Sequence, residues 1–139
     1  MTINFRYDAW GNMTSKARGS YSASYAWHYG GKLTGVTSDF PSEGAVTYTY
    51  GGDGKRRERT AGGLTTGYNY DLGWNLLNEE DGTGALTTSF IHAPQGAVGP
   101  VLADVAGGSP ASGAYRYYTL DRLGSTNGLY DGAKAKVAS

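Results

Sequence analysis

A pair of large side chains two residues apart recurs six times along this chain: Phe5 and Tyr7, Tyr25 and Trp27, Tyr48 and Tyr50, Tyr68 and Tyr70, Phe90 and His92, Tyr118 and Leu120. Four residues after the second members stand Gly11, Gly31, Gly54, Trp74, Gly96 and Gly124 in turn. The steps between second members are 20, 23, 20, 22 and 28 residues. An internal period of this length belongs to repeat architectures, whose units bury their apolar faces against one another and usually work through extended surfaces.

Residues two apart share one face of a β-strand, so each pair sets two large side chains on one side of a sheet. Tyr21, Ala23, Tyr25 and Trp27 share a face, and Ser22, Ser24, Ala26 and His28 share the other. The following glycine supplies the backbone of a turn, and a return strand such as Met13-Thr14 or Leu33-Thr34 completes a hairpin. No stretch keeps apolar residues at helical spacing over three turns. Twenty-three glycines in 139 residues also argue against helix, at roughly 1 kcal/mol for each interior position. The expectation is an all-β chain of consecutive antiparallel hairpins in a curved, extended sheet. It forms one domain over residues 1–139, with about six repeats and a looser Gly/Pro/Ser-rich stretch at 93–114. Within that stretch a short strand is expected at Val98 to Val105. Asp131-Gly132 reads as a two-residue hairpin turn, and Asp53-Gly54 and Asp81-Gly82 mark further turns.

Tyr7-Asp8-Ala9-Trp10-Gly11-Asn12 and Tyr70-Asp71-Leu72-Gly73-Trp74-Asn75 resemble the tyrosine–aspartate repeats of Rhs-type proteins. Leu120-Asp121-Arg122-Leu123-Gly124-Ser125 is similar to a late core motif of that family. The aspartate column is incomplete, reading Asp8, His28, Gly51, Asp71, Ala93 and Asp121. The family's self-cleavage segment and toxin have no counterpart in this sequence, so neither is carried over. The resemblance implies a wall-forming sheet and a place outside the cell or on its surface.

Twelve basic and twelve acidic side chains cancel, which gives no general attraction to nucleic acid or to an anionic membrane. Lys55, Arg56, Arg57 and Arg59 read as a solvated hairpin tip. There is no cysteine, no apolar run long enough to span a bilayer, and no signal-peptide core at the start. The chain is then expected to be a mature fragment or to be exported by another route.

Catalytic readings are weak. His28 and His92 fall within the repeat columns. Glu79-Glu80-Asp81 lies beside a turn instead of facing a second acid across a substrate. The Gly51–Lys55 run lacks phosphate-loop spacing, and Ser125 lacks a nucleophile elbow. No catalytic residue, metal ligand or cofactor is expected.

The functional expectation is a structural module that associates with copies of itself through its terminal strands, at Ile3, Phe5, Tyr7, Tyr130 and Val137. A second copy following head to tail would place its Tyr7 twenty-six residues after Leu120, inside the observed repeat spacing. The product would be an extracellular tube or filament. About twelve strands make a sheet roughly 55 Å wide, against a girth of roughly 100 Å for a 100-residue cargo, so one chain does not close a shell. The alternatives are a wall segment of a larger toxin-enclosing shell, or a glycan-binding surface module using exposed aromatics.

Overall fold

A computed structural model of the chain describes residues 2–94, 99–107 and 114–138. Its thirteen strands are β1 Asn4–Tyr7, β2 Met13–Arg18, β3 Tyr21–His28, β4 Lys32–Ser38, β5 Val46–Tyr50, β6 Arg56–Ala61, β7 Leu64–Tyr70, β8 Leu76–Asp81, β9 Leu86–His92, β10 Val101–Ala106, β11 Tyr115–Leu120, β12 Thr126–Asp131 and β13 Lys136–Ala138. Sheet order follows chain order from β1 to β13, as hairpin repeats require. Among the described residues no helix is long and apolar enough to cross a membrane. The strands fall into two compact units, Met1–Thr65 and Thr66–Ser139.

In the first unit the paired side chains open each hairpin. Ala23 is buried and Tyr25 and Trp27 are half-buried, while Ser22, Ser24 and Ala26 face solvent. Tyr48 and Tyr50 alternate in the same way with exposed Thr47 and Thr49. Phe5 and Tyr7 are 50% and 59% exposed, because β1 has a partner, β2, on one side only. The connection from β4 to β5 folds back as a strap. Phe40 is buried against Tyr21, with ring centroids 5.7 Å apart, and the Lys16 ammonium lies 4.6 Å from the Phe40 ring centre. Lys16 also bonds Glu43 at 2.7 Å, which holds the Glu43 carboxyl below its ordinary range.

In the second unit the buried residues centre on β10, where Ala103, Asp104 and Val105 are all enclosed. β10 pairs with β9 on one side and β11 on the other. The strand expected at Val98 to Val105 is thus found as Val101–Ala106. Val98, Gly96 and the loop residues 108–113 lie outside the described residues.

The expected two-residue turn at Asp131-Gly132 is replaced by a longer one. Asp131 N–H donates to Ala135 O and Lys134 N–H to Asp131 O, both at 3.0 Å. Lys134 takes the positive φ of 65°. The Asp131 carboxylate accepts the N–H groups of Ala133 and Ala135 at 2.9 and 2.8 Å. That cap favours the four-residue loop over the tight turn that an Asp-Gly pair suggests.

Candidate functional site: the forked turn end

One turn design recurs. At Asp8, Gly51, Asp71, Asp81, Asp121 and Asp131 the residue's N–H donates to the carbonyl four positions on, and its own carbonyl accepts the N–H three positions on. The third position has positive φ: Gly11, Gly54, Trp74, Gly84, Gly124 and Lys134 lie between 65° and 85°. Trp74 therefore takes the glycine conformation at φ 74°, a geometry costing a non-glycine residue about 1–2 kcal/mol. The aspartate carboxylates cap the loops, and the side-chain bond from Asn12 leads the causes that hold the Asp8 carboxyl below its ordinary range.

The gap in the aspartate column at Gly51 has a local explanation. Asp53 Oδ1 accepts the Lys55 N–H at 3.1 Å, the bond that Asp8 makes to Asn12 N–H at 2.9 Å. A Cβ on Gly51 would lie 2.7 Å from that same oxygen. The basic run is partly enclosed instead of wholly solvated: Lys55 is buried, Arg57 bonds Asp53 at 2.8 Å, and Arg56 lies 4.6 Å from the Tyr48 ring centre.

Beyond each turn the hairpin stays paired, but neighbouring hairpins part. The β2–β3 ladder runs from Arg18↔Tyr21 to Ser15↔Ser24 and stops short of Met13. There the Trp27 indole N–H donates to Met13 O at 2.8 Å. In the same way Tyr50 O–H donates to Leu33 O at 2.9 Å, and His92 Nε2 lies 2.7 Å from Leu76 O. Each of these carbonyls stands two residues after the positive-φ position of the preceding repeat. In these three pairs the second ring thus satisfies a backbone acceptor left open where the ladder ends. This is why the column favours Trp, Tyr and His, rings that carry a polar hydrogen. Tyr7 has no such carbonyl among the described residues, and Leu120 has no donor.

Of the other expected site residues, Tyr25, Tyr48, Tyr68, Tyr70, Phe90 and Tyr118 are half-buried within their strands. Val137 is 51% exposed on the outermost strand β13, and Ile3, 46% exposed, directly precedes β1. Tyr130 sits in β12, flanked by β11 and β13, and so is not at an edge. Glu79 and Glu80 are successive residues of β8, and successive strand residues point to opposite faces. Among the described residues no group of three or more His, Cys, Asp or Glu side chains is placed to hold a metal ion.

Sequence reasoning missed Asp104, which is fully buried. Its carboxylate accepts Arg116 Nε and Nη2 at 2.7 and 3.0 Å and the Tyr118 O–H at 2.5 Å. Burial first, and the Asp104 bond second, push Tyr118 up to about 12. The available signal was one aspartate inside Val-Leu-Ala-Asp-Val-Ala, with Arg116 and Tyr118 two apart on a later strand.

Two clefts open at the forks of the first unit. One, of about 540 Å³, is lined by Asp8, Trp10, Asn12, Trp27, His28 and Tyr29, with Gly30 and Gly31. Its neighbour, of about 470 Å³, shares His28 and Tyr29 and reaches Tyr48 and Tyr50.

No family model matches the chain. Over 91 residues, 65% of its length, it is 33% identical to the tRNA nuclease WapA of Bacillus subtilis strain 168, of which it covers 4%. The tRNA(Glu)-specific nuclease WapA of Bacillus subtilis subsp. natto strain BEST195 is 33% identical over 87 residues, again across 4% of that protein. The crystal structure of TcdB2-TccC3-Cdc42 shares the fold over 91% of this chain, with a TM-score of 0.59 and 16% identity, and the match covers 7% of the larger chain. The chain is thus a sheet of β-hairpin repeats, similar to small parts of much longer proteins.

Proposed function

We propose that the chain is a non-enzymatic structural segment of the Rhs/YD-repeat type, whose sheet is extended by strand pairing at its edges. The observation that carries this reading is β1, bonded to a strand on one side only and bearing the exposed Phe5 and Tyr7, with exposed Ile3 just before it. Such an edge is a template for another strand. Tyr7 stands in the column of Trp27, Tyr50 and His92, and an added strand that offered a carbonyl to its hydroxyl would continue that column.

Two sources can supply the strand. A second copy gives self-association outside the cell, and a joint that repeats without closing builds a tube or filament. The strand that follows β12 is the chain's own β13, through Leu129↔Ala138 and Tyr130↔Lys136, so in this reading a head-to-tail joint would use the outer sides of β1 and β13. Further repeats of a longer protein give instead a wall segment of a toxin-enclosing shell. The small share of the longer relatives that the chain matches favours this second source.

Light scattering over a concentration series, with negative-stain microscopy, tests the first source. Filaments or tubes lost in the Phe5→Lys and Ile3→Pro variants, with strand content retained, support pairing of copies at β1. A particle of 14.7 kDa at all concentrations overturns self-association and leaves the wall segment.

A further inference from the structure

We propose that the fork between the first two turns, lined by Asp8, Trp10, Asn12, Trp27 and Tyr29, is a site for an organic cation carrying a quaternary ammonium group, seated among the three rings beside the Asp8 carboxylate. The inference does not depend on edge pairing.

The neighbouring fork shows what a cation does in this setting. There Lys32, the residue directly after the positive-φ Gly31, places its ammonium 5.5 Å from the centre of the Tyr50 ring. Lys32 and Tyr50 both line that cleft. A cation is attracted to the face of an aromatic ring within about 6 Å of its centre. In the first fork the matching positions are Asn12, directly after Gly11, and Trp27. Trp27 and Tyr50 make the same bond to the preceding repeat's carbonyl, at 2.8 and 2.9 Å, so the two rings are anchored alike. Asn12 brings no charge. Among the described residues no lysine or arginine stands over Trp10, Trp27 or Tyr29. The first fork thus repeats the ring of the second without its cation.

It adds two further rings and a negative charge. Trp10 and Tyr29 stand 81% and 91% exposed at the tips of adjacent turns. Both line the cleft of about 540 Å³, which is within the range of roughly 300–1,000 Å³ for small-ligand sites. Asp8 lines it too, and none of its lining residues is Lys or Arg. The capping bonds that hold the Asp8 carboxyl below its ordinary range keep it ionised at neutral pH. Two indoles, which offer the best ring faces for a cation, one phenol and one carboxylate therefore act with the same sign.

The Asp8 oxygens select the kind of cation. Oδ1 already accepts the Trp10 and Asn12 N–H groups, each at 2.9 Å, and Oδ2 accepts Asn12 Nδ2 at 2.9 Å. The carboxylate thus has charge to offer but few free lone pairs. A hard metal ion requires several oxygen ligands, and among the described residues no group of three or more His, Cys, Asp or Glu is placed to hold one. A primary ammonium brings three N–H donors, and the fork supplies only Asn12 Oδ1 and what remains of Asp8 Oδ2. A quaternary ammonium has no N–H to satisfy. Its charge is spread over methyl groups that pack against ring faces.

The test follows the indole N–H signals of Trp10, Trp27 and Trp74 by NMR while choline chloride is added up to about 10 mM, the weak end of specific affinity, at constant ionic strength. Choline should shift Trp10 and Trp27 saturably and leave Trp74 unmoved. The uncharged isostere 3,3-dimethylbutanol should bind at least about tenfold more weakly. Choline itself should bind about tenfold more weakly to Asp8→Asn, which keeps a capping side chain, and to Trp10→Ala. Asn12→Lys, which gives the first fork the cation of the second, should abolish binding with the strand signature intact. Cosedimentation with phosphatidylcholine vesicles separates the sources. Vesicle binding that choline competes away assigns the group to a lipid headgroup, and binding of choline alone assigns it to a free solute. No response to choline and no vesicle binding overturns the proposal. So does equal affinity for the uncharged isostere, or full choline affinity in Asp8→Asn or Asn12→Lys. Oligomer size in Trp10→Ala should match the parent, which separates this result from the assembly test.

Discussion

Asp8–Asn12 in the first unit and Asp71–Asn75 in the second are built on the same frame. In both the aspartate N–H reaches the asparagine carbonyl, at 2.9 and 3.0 Å. The carboxylates then take the asparagine N–H and its side-chain amide. They part at the asparagine oxygen. Asn75 is met by Gly99, where a Cβ would come within 3.2 Å of the Ala93 carbonyl carbon, so only glycine brings its backbone that close. Asn12 faces an open cleft. The turn is thus a fixed frame, and the neighbouring loop decides whether a fork is filled by protein or left open for something else.

The largest effect should come from the second unit's buried carboxylate. Asp104→Ala removes the acceptor shared by the Tyr118 hydroxyl and the part-exposed Arg116, and should destabilise that unit by about 3 kcal/mol, the upper end for hydrogen bonds to a charged group. Hydrogen exchange should show β9 to β12 losing protection while β2 to β5 keep theirs; equal loss in both would show that the two units do not differ in this way. Next, Asn75→Ala removes an internal bond and orphans the Gly99 N–H, at about 2 kcal/mol. Asn12→Ala has no such partner to strand and should cost about 1 kcal/mol. Equal losses in denaturant midpoint would mean that the Gly99 contact adds nothing. Smallest is an alkaline effect confined to the second unit. Tyr118 binds its proton more tightly folded than unfolded, so its contribution is intact below pH 10 and fades as pH rises toward about 12. Ultraviolet titration should find one tyrosine ionising late, and Asp104→Asn should bring it down.

The parts of this molecule carried by spacing were legible in the sequence. The ring pairs located the odd-numbered strands β1 to β11, and the residue four positions on located the turns, because both are local consequences of a pleated strand and a capped loop. Trp74 shows the limit of reading by residue type, since the repeat imposes positive φ on a residue that would not choose it. The loop at Asp131 misled for a related reason: Asp-Gly fits a tight turn, but the aspartate cap draws it into the wider loop seen at Asp8. Asp104, the Phe40 strap and the Asn75–Gly99 contact stayed hidden, because each joins residues a dozen or more positions apart through side chains whose meeting depends on register. Trp10 and Tyr29 were visible as letters but not as a pair, since nothing in their spacing says that two neighbouring tips share one cleft.

The bonds from Trp27, Tyr50 and His92 to the preceding repeat's carbonyls bear on how such a sheet changes length. Donor and acceptor always belong to successive hairpins, so cutting out or copying one complete hairpin rejoins a donor to an equivalent acceptor. Removing half of one would set a ring against the wrong carbonyl. Coupling limited to nearest neighbours therefore lets length drift in steps of one hairpin and resists any smaller step, a tolerance written into where the indole of Trp27 happens to reach.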